Sequence, residues 1–283
     1  MPGPIMLQDV AEWSEVDVYV AEQDAADADP PDVTPVPPVA AEPQESPAPA
    51  ENDWHRHPVA DKLVLGEEID PAVVEQYRKL GTALHRVQVE DARRVVMVAS
   101  AVVGEGKTLT TANLAVTLSE SFRQRVLLID ADLRRPTIHK LLKVPNDSGL
   151  NDVLKAGHDG KLTLYEVSER LTVLPAGPPN SDPMGGLMSD RMKRILAEAG
   201  AKFDWVLLDT PPVGLLPDAN VLAEMVDMIV LVVAAGETKY RSIERAIGTL
   251  DRRRIVGVVL NRAVQSPTAY RYYAGYAAPI SRA

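Results

Sequence analysis

The 283-residue chain has no cysteine. That excludes disulfides and thiolate metal sites, and it fits a reducing compartment. Long apolar runs are also missing. The longest, Ile229–Gly236 (IVLVVAAG), falls well short of the roughly 18 residues that would suggest a membrane span. No basic start precedes an apolar stretch in the first thirty residues, so no secretory signal is read there, and a cytoplasmic location is expected. A basic excess is lacking too. The formal charge is −10, but thirteen acids and a single Arg fall in residues 1–60, so the remainder is nearly neutral. A neutral body with an acidic arm is not a nucleic-acid binder, which should present a basic face. Residues 21–52 contain no aromatic residue and are built from Pro, Ala and acids, a composition that cannot offset its own ordering entropy. Residues 1–60 are therefore expected to form a disordered arm. The apolar residues around Trp13 and Tyr19 are more simply part of that tail than a docking element.

From Pro71 the texture changes. A proline suited to a first helical turn opens a helical pattern over 71–87. Apolar strand patterns follow at 95–100, 125–130, 171–177, 205–209, 228–235 and 255–261. Helical patterns separate them at 108–121, 136–143, 149–155, 185–200, 218–226 and 242–253. Continuously apolar strands alternating with helices mean an α/β fold, a mostly parallel central sheet covered on both faces. Residues 61–263 are read as one such domain. Residues 264–283 form a separate tail, polar and small except for Tyr270, Tyr272, Tyr273 and Tyr276, half of the chain's eight tyrosines.

The first strand runs into AVVGEGKT at 101–108. Gly106, Lys107 and Thr108 match the end of the P-loop pattern, with Ala101 in place of its first glycine and Gly104 as a second flexible position. Glycines let backbone amides approach phosphate oxygens, and the following helix adds the partial positive charge of its N-terminus. Residues Gly104, Glu105, Gly106, Lys107, Thr108 and Leu109 are thus candidates for binding a nucleotide. Lys107 would reach the outer phosphates, and the Thr108 hydroxyl would face Mg2+. A plain strand-to-helix turn is the simpler alternative, but two later strands also end in acid: Asp130 with Asp132, and Asp209. In open parallel sheets ligands lie at those ends, and an Asp there holds the metal directly or through its water. Hydrolysis needs one such Asp. The additional carboxylate could take the proton of an incoming hydroxyl, such as that of a tyrosine. Arg134 either stabilises the transferred phosphoryl group or lies on the surface. Asn261, at the end of the last strand, is a candidate base contact or a side chain bonded to backbone.

AVVGEGKT, LLIDADLRRP and VLLDTPP, followed by a C-terminal tyrosine cluster, resemble the bacterial tyrosine kinases (BY-kinases) of the CpsD/CapB type, the autokinases of capsule and exopolysaccharide production. The resemblance runs from about residue 65 to the end. It implies the P-loop NTPase fold, with ATP and Mg2+ at Lys107 and Thr108. It also implies Asp130 as base with Asp132 and Asp209 near the metal, and Tyr270, Tyr272, Tyr273 and Tyr276 as acceptors phosphorylated by a neighbouring subunit. The implied partners are a membrane-spanning polysaccharide co-polymerase that activates the kinase at the inner face of the membrane, further copies in a ring, and a tyrosine phosphatase. The family's ring contact uses Glu-x-x-Arg-x-x-Arg. Here Glu75 and Arg78 match, and Gly81 stands where the last Arg would be. The tail itself reads better as substrate than as a packed patch, because Ala and Gly surround its tyrosines and several phosphates would repel it from a donor site. Two rivals share the motifs. One is a ParA/MinD-like ATPase switch, whose phosphate loop would carry an early lysine where this chain has Val102. The other is a scaffold that binds nucleotide without catalysis.

Overall fold

The computed structural model describes residues 63–64, 69–156 and 162–263, and of the N-terminal arm only two two-residue strands. These strands, β1 (Leu7–Gln8) and β2 (Glu15–Val16), pair antiparallel. The tyrosine tail and the rest of the arm lie outside the described residues.

Seven strands form one sheet: β3 (Val95–Ser100), β4 (Val126–Asp130), β5 (Tyr165–Glu166), β6 (Leu171–Leu174), β7 (Trp205–Asp209), β8 (Met228–Ala234) and β9 (Ile255–Asn261). Their spatial order is β5-β6-β4-β7-β3-β8-β9, and every pair is parallel except β5 with β6. The five residues of β4 and of β7 are buried without exception, because helices cover both faces. The edge strand β9 alternates buried and half-buried positions, as a strand covered less completely should.

Alternation of side chains splits the core in two. Val96, Val98, Leu128, Leu207 and Val230 point to a layer formed by α1 (Pro71–Asp91), α2 (Lys107–Val116) and α3 (Ile138–Leu142). Met97, Ile129, Leu208 and Leu231 meet a second layer formed by α4 (Leu150–Ala156), α5 (Met184–Leu187), α6 (Asp190–Lys202), α7 (Pro217–Ala223) and α8 (Tyr240–Gly248).

Local chemistry sets the helix ends. Pro71 opens α1, and the Asp70 side chain accepts the Ala72 amide at 2.8 Å. The pattern over 185–200 breaks into two helices at Ser189, whose hydroxyl accepts the Met192 amide at the start of α6. The pattern over 108–121 also divides. After Val116 the chain takes a π-helical turn, Thr117–Ser121. There the Thr117 hydroxyl bonds the Asn113 carbonyl at 2.8 Å and the Ser119 hydroxyl bonds the Val116 carbonyl at 3.0 Å, competing for helical acceptors. The antiparallel edge strand β5 is absent from the sequence reading, since two residues carry no periodicity.

Candidate active site

Between β3 and α2 the chain turns on two glycines. Gly104 and Gly106 adopt φ of 87° and 84°, a backbone that residues with a side chain rarely take. The turn delivers Lys107 into the interior, only 7% exposed, at the first position of α2. Its ammonium pairs with the Asp209 carboxylate and lies 3.2 Å from the Thr108 hydroxyl. The Thr108 hydroxyl donates to Asp209 Oδ2 at 2.8 Å. One helical turn further on, the Thr111 hydroxyl lies 3.3 Å from Asp209 Oδ1 and 2.8 Å from the Lys107 carbonyl. Loop, helix and strand end therefore converge on one carboxylate.

The neighbouring strand supplies the second. Asp130 and Asp209 are register partners across β4 and β7, and both are fully buried. Asp130 touches no cationic side chain directly. Its Oδ2 accepts the backbone amides of Thr137 and Ile138 at 2.9 and 3.0 Å, at the start of α3, and its Oδ1 accepts the Asp132 amide at 3.3 Å. Burial, and then the charge of Asp209, push its pKa up to about 8, against the opposing pull of the Ile138 amide and of Lys107. Asp132 is half-buried and accepts the Arg135 amide at 3.0 Å. Burial raises its pKa as well. The cluster holds one buried ammonium among three aspartates, a balance that favours a cation. Among the described residues no three carboxylate or imidazole groups form a complete cage. A hydroxyl and one or two carboxylates are the partial set that suits Mg2+, whose remaining sites go to phosphate and water.

Other expected residues fall elsewhere. The Glu105 carboxylate is buried, where its Oε2 accepts the Val102 amide of its own loop. Asn261 Nδ2 donates to the Glu105 carbonyl at 3.0 Å and its Oδ1 accepts the Arg262 amide at 3.0 Å, so its side chain is bonded to backbone. Arg134 pairs with the buried Asp218 through Nε at 2.6 Å and also reaches the Ser181 carbonyl, a third arrangement beside the two expected. The Leu109 side chain packs against the core, leaving its amide in the first turn of α2 for a ligand. Glu75 and Arg78 form an exposed pair at 3.4 Å on α1. Gly81 faces inward: a Cβ there would lie 2.8 Å from the Phe122 ring, so an arginine at 81 would have to displace that ring. Sequence reasoning missed Thr111, although its spacing of four from Lys107 places it on the same helical face. It also missed Asp218, which no local pattern distinguishes.

A buried lysine at the start of a helix after a glycine turn, facing strand-end aspartates, defines a nucleotide-binding α/β domain. A model of the CobQ/CobB/MinD/ParA nucleotide binding domain matches residues 96–278. The tyrosine-protein kinase YwqD of Bacillus subtilis is 36% identical over 203 residues, covering 70% of this chain and 85% of that protein. The tyrosine-protein kinase wzc of Salmonella typhi is 30% identical over 224 residues, covering 78% of this chain. The match spans only 31% of wzc's length. The kinase domain of the Escherichia coli tyrosine kinase ETK superposes with a TM-score of 0.65 at 31% identity, covering 69% of this chain and 77% of that one. The chain belongs to the bacterial tyrosine kinases, and it is a protein-tyrosine kinase.

Proposed function

We propose that the chain is an ATP- and Mg2+-dependent autokinase that phosphorylates Tyr270, Tyr272, Tyr273 and Tyr276 on a neighbouring copy. The observation that carries this reading is the convergence of Lys107, Thr108 and Asp209 beside an Asp130 held without a cationic partner. Lys107 and the first-turn amides of α2 would bind the outer phosphates. Thr108, Asp132 and Asp209 would hold Mg2+, which when bound neutralises charge on the phosphates. The tyrosine oxygen attacks the γ-phosphorus, the bond to the bridging oxygen breaks, ADP leaves, and the phenolic proton passes to Asp130. A carboxylate with a pKa near 8 is a better match to a phenol than an ordinary aspartate. Arg134, tied to Asp218, is assigned to holding the β4–α3 loop rather than to the phosphoryl group.

In this reading the kinase serves exopolysaccharide or capsule polymerisation and export. It works at the inner face of the membrane through a membrane-spanning co-polymerase, with a tyrosine phosphatase resetting the tail and Glu75 and Arg78 contributing to contacts between copies. Among the described residues no helix is long and apolar enough to cross a membrane, so attachment through a partner is consistent with the chain.

The test is to incubate the purified chain with ATP and Mg2+, with and without an activating segment of the co-polymerase, and to map phosphate by mass spectrometry. Phosphate on Tyr270, Tyr272, Tyr273 or Tyr276 that disappears with Lys107→Met is the expected result. Steady ATP hydrolysis without phosphotyrosine under any condition would overturn the autokinase reading.

A further inference from the structure

Glu105 places a carboxylate under the loop that is to receive a polyphosphate. It is 2% exposed, and its charge opposes the ligand. Its bonds show what it does instead. Oε2 accepts the Val102 amide at 2.7 Å and so closes the loop on itself. Oε1 accepts the Thr238 hydroxyl at 2.5 Å and lies 3.4 Å from the Ala234 amide, at the end of β8 and in the connection that leads to α8. Separate bonds hold the same stretch from β9. Asn261 donates to the Glu105 carbonyl, and Arg262 Nη2 donates to the Gly104 carbonyl at 2.7 Å while its Nη1 pairs with Glu237 at 2.8 Å. The middle of the phosphate loop is thus tied to two strands that carry none of the catalytic aspartates.

We propose that Glu105 and Thr238 are positioning residues for the kinase reaction: the carboxylate–hydroxyl bond fixes the phosphate loop in its binding conformation, so the β8–α8 connection sets affinity for the triphosphate. The inference rests on the reading that this loop holds ATP. A loop already held in its bound shape loses less conformational freedom when the ligand arrives, so releasing it weakens binding without altering the chemistry of transfer. Charge-assisted bonds from buried carboxylates are among the stronger ones, and Thr238 is accessible enough to be changed without opening the core.

The experiment measures the ATP dissociation constant in the presence of Mg2+, together with KM for ATP and kcat for tail phosphorylation, for the full chain and for Thr238→Val, Thr238→Ser and Glu105→Gln. Thr238→Val keeps the shape and removes the hydroxyl. It is expected to raise both Kd and KM about five- to tenfold, with kcat at saturating ATP changed less than about twofold. Thr238→Ser, which restores the donor, should return both to within about twofold of the unaltered chain. Glu105→Gln should weaken binding in the same direction. The proposal is overturned if Thr238→Val binds ATP as tightly as the unaltered chain. It is also overturned if Thr238→Ser is as weak as Thr238→Val, or if the loss appears in kcat and melting temperature with KM unmoved. Failure of the unaltered chain to bind ATP would instead overturn the functional reading.

Discussion

Asp130 and Asp209 end adjacent strands side by side, yet their surroundings differ. Asp209 is gripped by Lys107, Thr108 and Thr111, whereas Asp130 receives only backbone amides and holds its proton up to about pH 8. The sign of the linkage follows from that raised value. An unfolded aspartate has lost its proton above about pH 4. Between there and pH 8 the folded state binds the additional proton, so stability falls as pH rises through this window and levels off above it. Asp130→Asn keeps an oxygen for the Thr137 and Ile138 amides and removes the slope. Without nucleotide, its melting temperature relative to the unaltered chain should climb from pH 5 to pH 8, ending at least about 3 °C higher, as differential scanning fluorimetry can read. The proposed transfer requires ionised Asp130, so in the unaltered enzyme kcat should rise with pH toward 8. The midpoint should move lower with Mg2+ bound, because a cation favours the carboxylate. Asp130→Asn should lower kcat by about 10²- to 10⁴-fold in a tail-phosphorylation assay. Lys107, Thr108, Asp130, Asp132 and Asp209 were legible in the sequence because each stands where an apolar strand ends or a helix begins. Glu105 was legible as part of the loop but not in its task, because its partner Thr238 lies 133 residues away and nothing local marks it.

The buried strands were the plainest signal in the sequence. Val126–Asp130 and Trp205–Asp209 are apolar up to the final acid, as strands of a parallel sheet covered on both faces should be. The helices were less legible where side chains compete with the backbone. Ser189 sits inside what reads as one amphipathic stretch, and its hydroxyl caps α6 instead of continuing α5. Ser189→Ala should cost about 0.5–2 kcal/mol, measured by urea denaturation with an unchanged m-value. The π-turn after Val116 has a similar origin in Thr117 and Ser119, and its position brings Phe122 against Gly81 of α1. That contact gives a structural reason for glycine at 81: position 81 lies on the inward face of α1, while the Arg78 side chain is about half exposed.

In the proposed reaction, donor and acceptor lie on different copies. Mixing a Lys107→Met chain that keeps its tail with an active chain carrying Phe at 270, 272, 273 and 276 should put phosphate on the Lys107→Met chain alone. The rate should rise with total protein concentration, read by intact-mass spectrometry. Transfer within one chain would leave both partners unmodified. The tail, which composition sets apart from the domain, lies outside the described residues. The domain does fix where the tail is rooted. Arg262, the residue after β9, grips the Gly104 carbonyl, and the four tail tyrosines follow at increasing distance along the chain. Fully extended, Tyr270 can lie at most about 29 Å from that root and Tyr276 about 50 Å. In the proposed reaction the four tyrosines would serve as graduations on a ruler whose zero mark is the chain's own phosphate loop. The separation between a donor site and that mark would decide which of them can be read.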